Sequence, residues 1–150
     1  LVAEKLMDEE VFPVCSPMFY QKYQQQLQDP KNLLNLPLIH DLTMDSHSWF
    51  TTWDTWLQYN QISNEPTQRG LKINNSAAVL QAAIDGHGVA LARSVMAADD
   101  LKTGRLLRLY PEMKCSSTLA YYMVYREECH NMPKLQVFRS WLFDQAQTGY

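Results

Sequence analysis

Two periods of hydrophobicity take turns along this chain. Short apolar runs at Val11 to Cys15, Pro37 to His40, Leu71 to Ile73, Val89 to Ala92 and Leu106 to Leu109 have the length of strands and are bounded by turn residues. Between them the apolar residues fall at helical spacing. Ser16-Pro17 reads as an N-cap followed by proline at the first helical position, which opens a helix from Met18 to about Leu27 with Phe19, Tyr20, Tyr23 and Leu27 at helical spacing. Asp29-Pro30 begins a second, shorter capped turn. Trp49, Phe50, Trp53, Trp56 and Leu57 stand at i, i+1, i+4, i+7 and i+8, the stripe of an amphipathic helix, and core packing accounts for them better than stacking on a ligand. Arg93 to Ala98 reads as a short helix, Thr118 to Tyr125 as a strand, and Pro133 to about Gln147 as a helix with Leu135, Phe138, Leu142 and Phe143 on one face. From Leu1 to Met7 the apolar residues are only loosely spaced.

Strands alternating with helices predict an α/β sheet with mainly right-handed crossovers. The clearest unit runs from Leu71 to Ala92: a strand, an Asn74-Asn75-Ser76 cap, an Ala-rich helix, and an exit through Gly86 and Gly88 into the next strand. A helix N-terminus presents unpaired N–H groups and the positive end of the macrodipole, so this cap is a candidate site for a small polar or anionic ligand. Capping the helix is an equally good reading of each of the three residues.

Composition narrows the function classes. The 150 residues are 46% hydrophobic and 11% aromatic, enough for one domain with a core. Thirteen basic against sixteen acidic side chains leave a net charge of -3, so the chain supplies no general attraction to phosphate backbones. No apolar run approaches the roughly 18 to 20 residues of a membrane span, and a cytoplasmic location is expected. Cys15, Cys115 and Cys129 form neither an even set nor a C-x-x-C pair, which predicts reduced, mostly buried thiols and no structural zinc. The chain opens at Leu1 in mid-pattern, as expected of a piece of a longer protein.

Catalytic and metal-binding arrangements are not visible. His40, His47, His87 and His130 show no i, i+4 pairing and no H-E-x-x-H motif, and the Gly86-His87-Gly88 turn follows its helix where a phosphate loop precedes one. Cys15 at a strand end before a helix could act as a nucleophile, but a small buried residue is the better reading. No catalytic residue, metal ligand or cofactor is therefore expected. Polar strand ends remain. Ligands of open α/β sheets bind beyond the carboxyl ends of strands, and Ser16, His40 with Asp41, and Asn74 to Ser76 each follow a strand. Sharing one rim, they would offer hydroxyl, amide and imidazole groups to a small molecule.

The ordered series E-E-V-F-P-V-C-S-P (Glu9 to Pro17), L-P-L-I-H (Leu36 to His40), W-x-x-x-W-x-x-W (Trp49 to Trp56), N-S-A-A-V-L-Q-A-A-I-D-G-H-G-V-A-L-A (Asn75 to Ala92), A-Y-Y-M-V-Y (Ala120 to Tyr125) and F-R-S-W-L (Phe138 to Leu142) resembles the effector-binding domain of LysR-type transcriptional regulators, within them the glycine-cleavage-system activator type. The resemblance implies a fold of periplasmic-binding-protein-like type 2, with two α/β lobes joined by crossover strands. Lobe two would span about residues 11–111, and an incomplete lobe one would be left at about 1–10 and 117–150, the DNA-binding helix-turn-helix lying outside the chain. It further implies a non-enzymatic module that senses a small polar or anionic metabolite, pairs as a homodimer or tetramer, and reaches DNA only through that missing domain. Effector contacts carried over by position fall on Ser16, on Leu38 and His40, and on Asn74, Asn75 and Ser76. A ligand-binding lobe of a transport-associated solute-binding protein is the alternative.

Overall fold

The computed structural model describes residues 1–44, 49–67, 69–113, 115 and 117–148, so His47 and its polar neighbours lie outside the described residues. The chain divides into two units, Leu1–Glu9 with Thr118–Tyr150, and Glu10–Ser117.

In the terminal unit, Val2–Asp8 (β1) pairs antiparallel with the strand Ala120–Tyr125 (β7 in chain order), in a register from Val2 opposite Tyr125 to Asp8 opposite Ala120. The loosely spaced apolar residues at the start of the chain are thus a strand with one side turned inward. The long final helix, Pro133–Thr148 (α6), follows a 3₁₀ turn at Glu127–Cys129. Leu135, Leu142 and Phe143 are half-buried, whereas Val137, Phe138 and Trp141 are exposed, so Phe138 departs from the expected inner face. Arg139 of α6 joins helix to strand: its Nε donates to Glu4 Oε2 at 2.7 Å and its terminal nitrogen to Oε1 at 2.5 Å. Tyr125 Oη donates to the same carboxylate at 3.0 Å and lies 2.9 Å from His130 Nδ1, on whose ring it stacks.

The central unit is built on a five-stranded sheet. In chain order its elements are Val11–Cys15 (β2), Pro17–Lys22 (α1), Gln24–Leu27 (α2), a 3₁₀ helix at Pro30–Asn35, Leu38–Asp41 (β3), Trp53–Tyr59 (α3), Leu71–Ile73 (β4), Ser76–Ile84 (α4), Val89–Arg93 (β5), Ser94–Lys102 (α5) and Leu107–Arg108 (β6). The strand order is β4-β3-β5-β2-β6, with β3 parallel to both β4 and β5 and β2 antiparallel to both β5 and β6.

The two-residue period of the strands sorts the core into two layers. Leu38, Val89 and Cys15 face one way and pack with Phe19, Leu33, Trp53, Trp56 and Leu57. Ile39, Ala90, Ala92, Phe12 and Val14 face the other way, onto Val79, Leu80, Ala82 and Ala83 of α4 and Ala97 of α5. Alanines on both partners let helix and sheet approach closely. Gly88 and Gly70 permit the tight turns that feed this layer: a side-chain carbon at Gly88 would stand 2.6 Å from the Pro37 carbonyl oxygen, and one at Gly70, where φ is +113°, only 2.0 Å from that of Leu38.

Two helices differ from their sequence pattern. The one expected from Met18 to Leu27 is broken at Tyr23, whose φ of -114° and ψ of 24° leave the helical region. The Trp stripe becomes helical only at Trp53, because Thr52 caps α3 by accepting from the Thr55 N–H, and Trp49 is exposed ahead of it.

Candidate functional site

Strand direction decides which polar ends meet. Parallel β3, β4 and β5 deliver their carboxyl ends to one edge of the sheet, and antiparallel β2 delivers its amino end there, with Val11 opposite Arg93. That edge carries His40, Asp41, Asn74, Asn75, Ser76 and Arg93.

Ser16 is not among them. It follows the carboxyl end of β2, which the antiparallel pairing places at the opposite edge, and it is 2% exposed with its Oγ accepting from the Phe19 N–H at 3.1 Å. Its role is to cap α1. Leu38 does not reach the rim either: it opens β3 and is 2% exposed within the core. For Ser16 the cause is the direction of β2, which residue spacing does not encode; for Leu38 it is a side chain turned into the core at the amino end of β3.

The remaining four predicted residues do gather. Asn75, and not Ser76, caps α4: its Oδ1 accepts from the Ala78 N–H at 3.0 Å. Ser76 is the first helical residue, and its hydroxyl donates to Asp41 Oδ2 at 2.6 Å. Asp41 Oδ1 meanwhile accepts from the Thr43 N–H at 3.0 Å and from the Thr43 hydroxyl. Asn74 is exposed at the rim. His40 is half-buried and its Nε2 donates to the Arg69 carbonyl at 2.6 Å, which fixes the ring at the rim.

Beside these residues, at the carboxyl ends of β3 and β5, lies a cavity of about 20 Å³. Its polar lining includes His40, Asp41, Thr51, Thr52 and Arg93, and its apolar lining includes Val11, Trp53 and Leu91. Trp53 is fixed there by its indole N–H, which donates to the Ile39 carbonyl at 2.9 Å. Thr51, Thr52 and Arg93 were not picked out by strand-end reasoning. Arg93 could have been, since it closes β5 just as Asp41 closes β3, but its position before Ser94 reads as a helix start.

Cys15 sits in the setting of a packing residue. It is fully buried, and desolvation pushes its thiol up to about 12. Among the described residues no group of His, Cys, Asp or Glu is arranged to hold a metal ion, and no helix is long and apolar enough to cross a membrane.

A parallel sheet core with an antiparallel strand, helices on both faces and a polar rim at its carboxyl edge is the architecture of a ligand-binding α/β module of periplasmic-binding-protein-like type 2. The chain belongs to the LysR substrate binding domain family, whose pattern matches residues 1–147. It is 34% identical over 146 residues to the glycine cleavage system transcriptional activator of Escherichia coli K12, covering 97% of this chain and 45% of that protein. It is 31% identical over 144 residues to the HTH-type transcriptional regulator DsdC of the same organism, covering 95% and 45%. The chain thus spans a little under half the length of these relatives, which are transcriptional regulators. Among solved structures, the effector domain of AmpR from Pseudomonas aeruginosa superimposes with a TM-score of 0.71 at 27% identity, covering 97% of this chain and 65% of that one. The regulatory domain of CrgA from Neisseria meningitidis, at 17% identity, shares the fold with a TM-score of 0.73, covering 97% and 68%.

Proposed function

We propose that this chain is the effector-binding part of a bacterial LysR-type transcriptional regulator and that its ligand is a small polar or anionic metabolite held at the rim of the central unit. The observation that carries the reading is the convergence of His40, Asp41, Asn74 and Ser76 at the carboxyl edge of the sheet, beside a cavity with polar lining. Asn74 offers an exposed amide, His40 an imidazole, and the α4 N-terminus a positive dipole end. The regulator acts in the cytoplasm as a dimer or tetramer, and contacts DNA through a domain outside this chain, since a net charge of -3 gives the chain itself no pull on a phosphate backbone. Effector binding shifts the balance between two conformations with different affinity for the operator.

A thermal-shift screen of small metabolites against the chain identifies the effector. Reporter transcription driven by the full regulator then tests the site with Asn74→Ala and Ser76→Ala. Loss of the effector response with regulator abundance preserved supports the reading, and an unchanged dose response in Asn74→Ala overturns it.

A further inference from the structure

We propose that Arg93 is the anchoring cation of the rim and that the group it takes is a carboxylate. This rests on the reading of the rim as the effector site and specifies the chemistry of its ligand.

Other arginines of the chain already hold acids. Arg105 pairs with Asp100 at 2.6 Å, Arg108 with Glu10 at 3.0 Å and Arg139 with Glu4 at 2.5 Å. Arg93 instead lines the cavity, and among the described residues its guanidinium bonds only to the Met96 thioether, 2.8 Å away. A thioether is a weak acceptor, and the guanidinium has five N–H donors in a planar fork that matches a carboxylate. Asp41, the acid that lines the same cavity, is already committed: one oxygen takes the Ser76 hydroxyl and the other the Thr43 N–H and hydroxyl. The cavity therefore contains an acid already accepting several hydrogen bonds and, among the described residues, a cation without an acid partner.

Its walls sharpen the preference. Val11, Leu91 and Trp53 lower the local dielectric, which strengthens an ion pair formed between them. The cavity is narrow and opens to solvent, so it takes one end of a ligand and not a whole metabolite. The ligand accordingly enters by its carboxylate, and the rest of it stays toward the exposed Asn74 side of the rim.

The test follows ¹H–¹⁵N spectra of the whole chain during titration with sodium acetate, acetamide or sodium phosphate at constant ionic strength. Acetate is expected to give saturable shifts at the Arg93 Nε–H and at the backbone amides of Thr52 and Arg93, with acetamide and phosphate giving none there. Arg93→Gln is expected to weaken acetate binding at least tenfold, with Arg93→Lys retaining part of it and both variants preserving the spectrum elsewhere. No acetate response at these positions, an equal response to phosphate, or an undiminished response in Arg93→Gln overturns the proposal. Acetamide shifting the same amides would also overturn it, yet leave the rim a ligand site. Silence from all three probes together with an unaltered reporter response in Asn74→Ala would overturn both readings.

Discussion

Ser76 Oγ donates to Asp41 Oδ2 at 2.6 Å, joining the first residue of α4 to the last residue of β3. The carboxylate stands at the positive end of the α4 dipole and also closes the turn through Thr43, so one acid ties strand, turn and helix together. Ser76→Ala removes one of the bonds to this carboxylate, along with a contact to the Thr43 hydroxyl, and is expected to cost about 1 kcal/mol, whereas Asp41→Ala removes every bond to the carboxylate and should cost roughly 2–3 kcal/mol. Urea unfolding followed by the emission of buried Trp53 and Trp56 reads the difference, and equal losses would show that the carboxylate does not hold the turn.

Glycine substitutions should separate close approach from backbone preference. Alanine at Gly70 would put its side chain against the Leu38 carbonyl, a backbone atom that cannot step aside, and is expected to cost roughly 3 kcal/mol or more. Gly104 also has a positive φ, +77°, yet nothing lies within 4 Å of an added side chain, so Gly104→Ala should cost only about 1–2 kcal/mol. Thermal unfolding of the two variants checks the order.

Acid should loosen the terminal unit in a defined window. The Arg139 guanidinium above all, helped by the Tyr125 hydroxyl, holds the Glu4 carboxyl at about 2, below its ordinary value of 4.5. A carboxyl lowered on folding stabilises the folded form above its ordinary value, and that contribution is lost as pH falls from 4.5 toward 2. Side-chain resonances of Tyr125 and Arg139 are expected to change through this window in the native chain, while in Glu4→Gln they should show no such step.

Thiol reactivity should rank by burial. Cys15 is fully buried and its thiol is pushed up by desolvation, Cys115 is raised by the same cause, and Cys129 is half-exposed on a 3₁₀ turn. Timed iodoacetamide labelling of the folded chain at neutral pH, read by mass spectrometry, should therefore modify Cys129 first and Cys15 last. Early modification of Cys15 would contradict the packing around β2.

What the sequence made legible was local. Ser16-Pro17 marked the start of α1, and Leu71 to Ala92 marked β4, α4 and β5, since caps, prolines and periodicity act over a few residues. Non-local pairing was not legible. The strand character of Val2–Asp8 depends on a partner at Ala120–Tyr125, and the exclusion of Ser16 from the rim depends on β2 running against β5. Arg93 gained its interest only once parallel strands set it at one edge with Asp41.

The placement of β2 also sets an order of events during synthesis. All five of its residues are buried in the finished sheet, yet its neighbours on either side, β5 and β6, are the last two strands of the central unit to be made. From its own emergence until Arg93 has left the ribosome, Val11 to Cys15 is an apolar ribbon with both edges open, and one edge stays open until Arg108 follows. This inner strand of the central unit is thus the one that waits longest for its neighbours, and it is where a nascent chain most needs shielding from association.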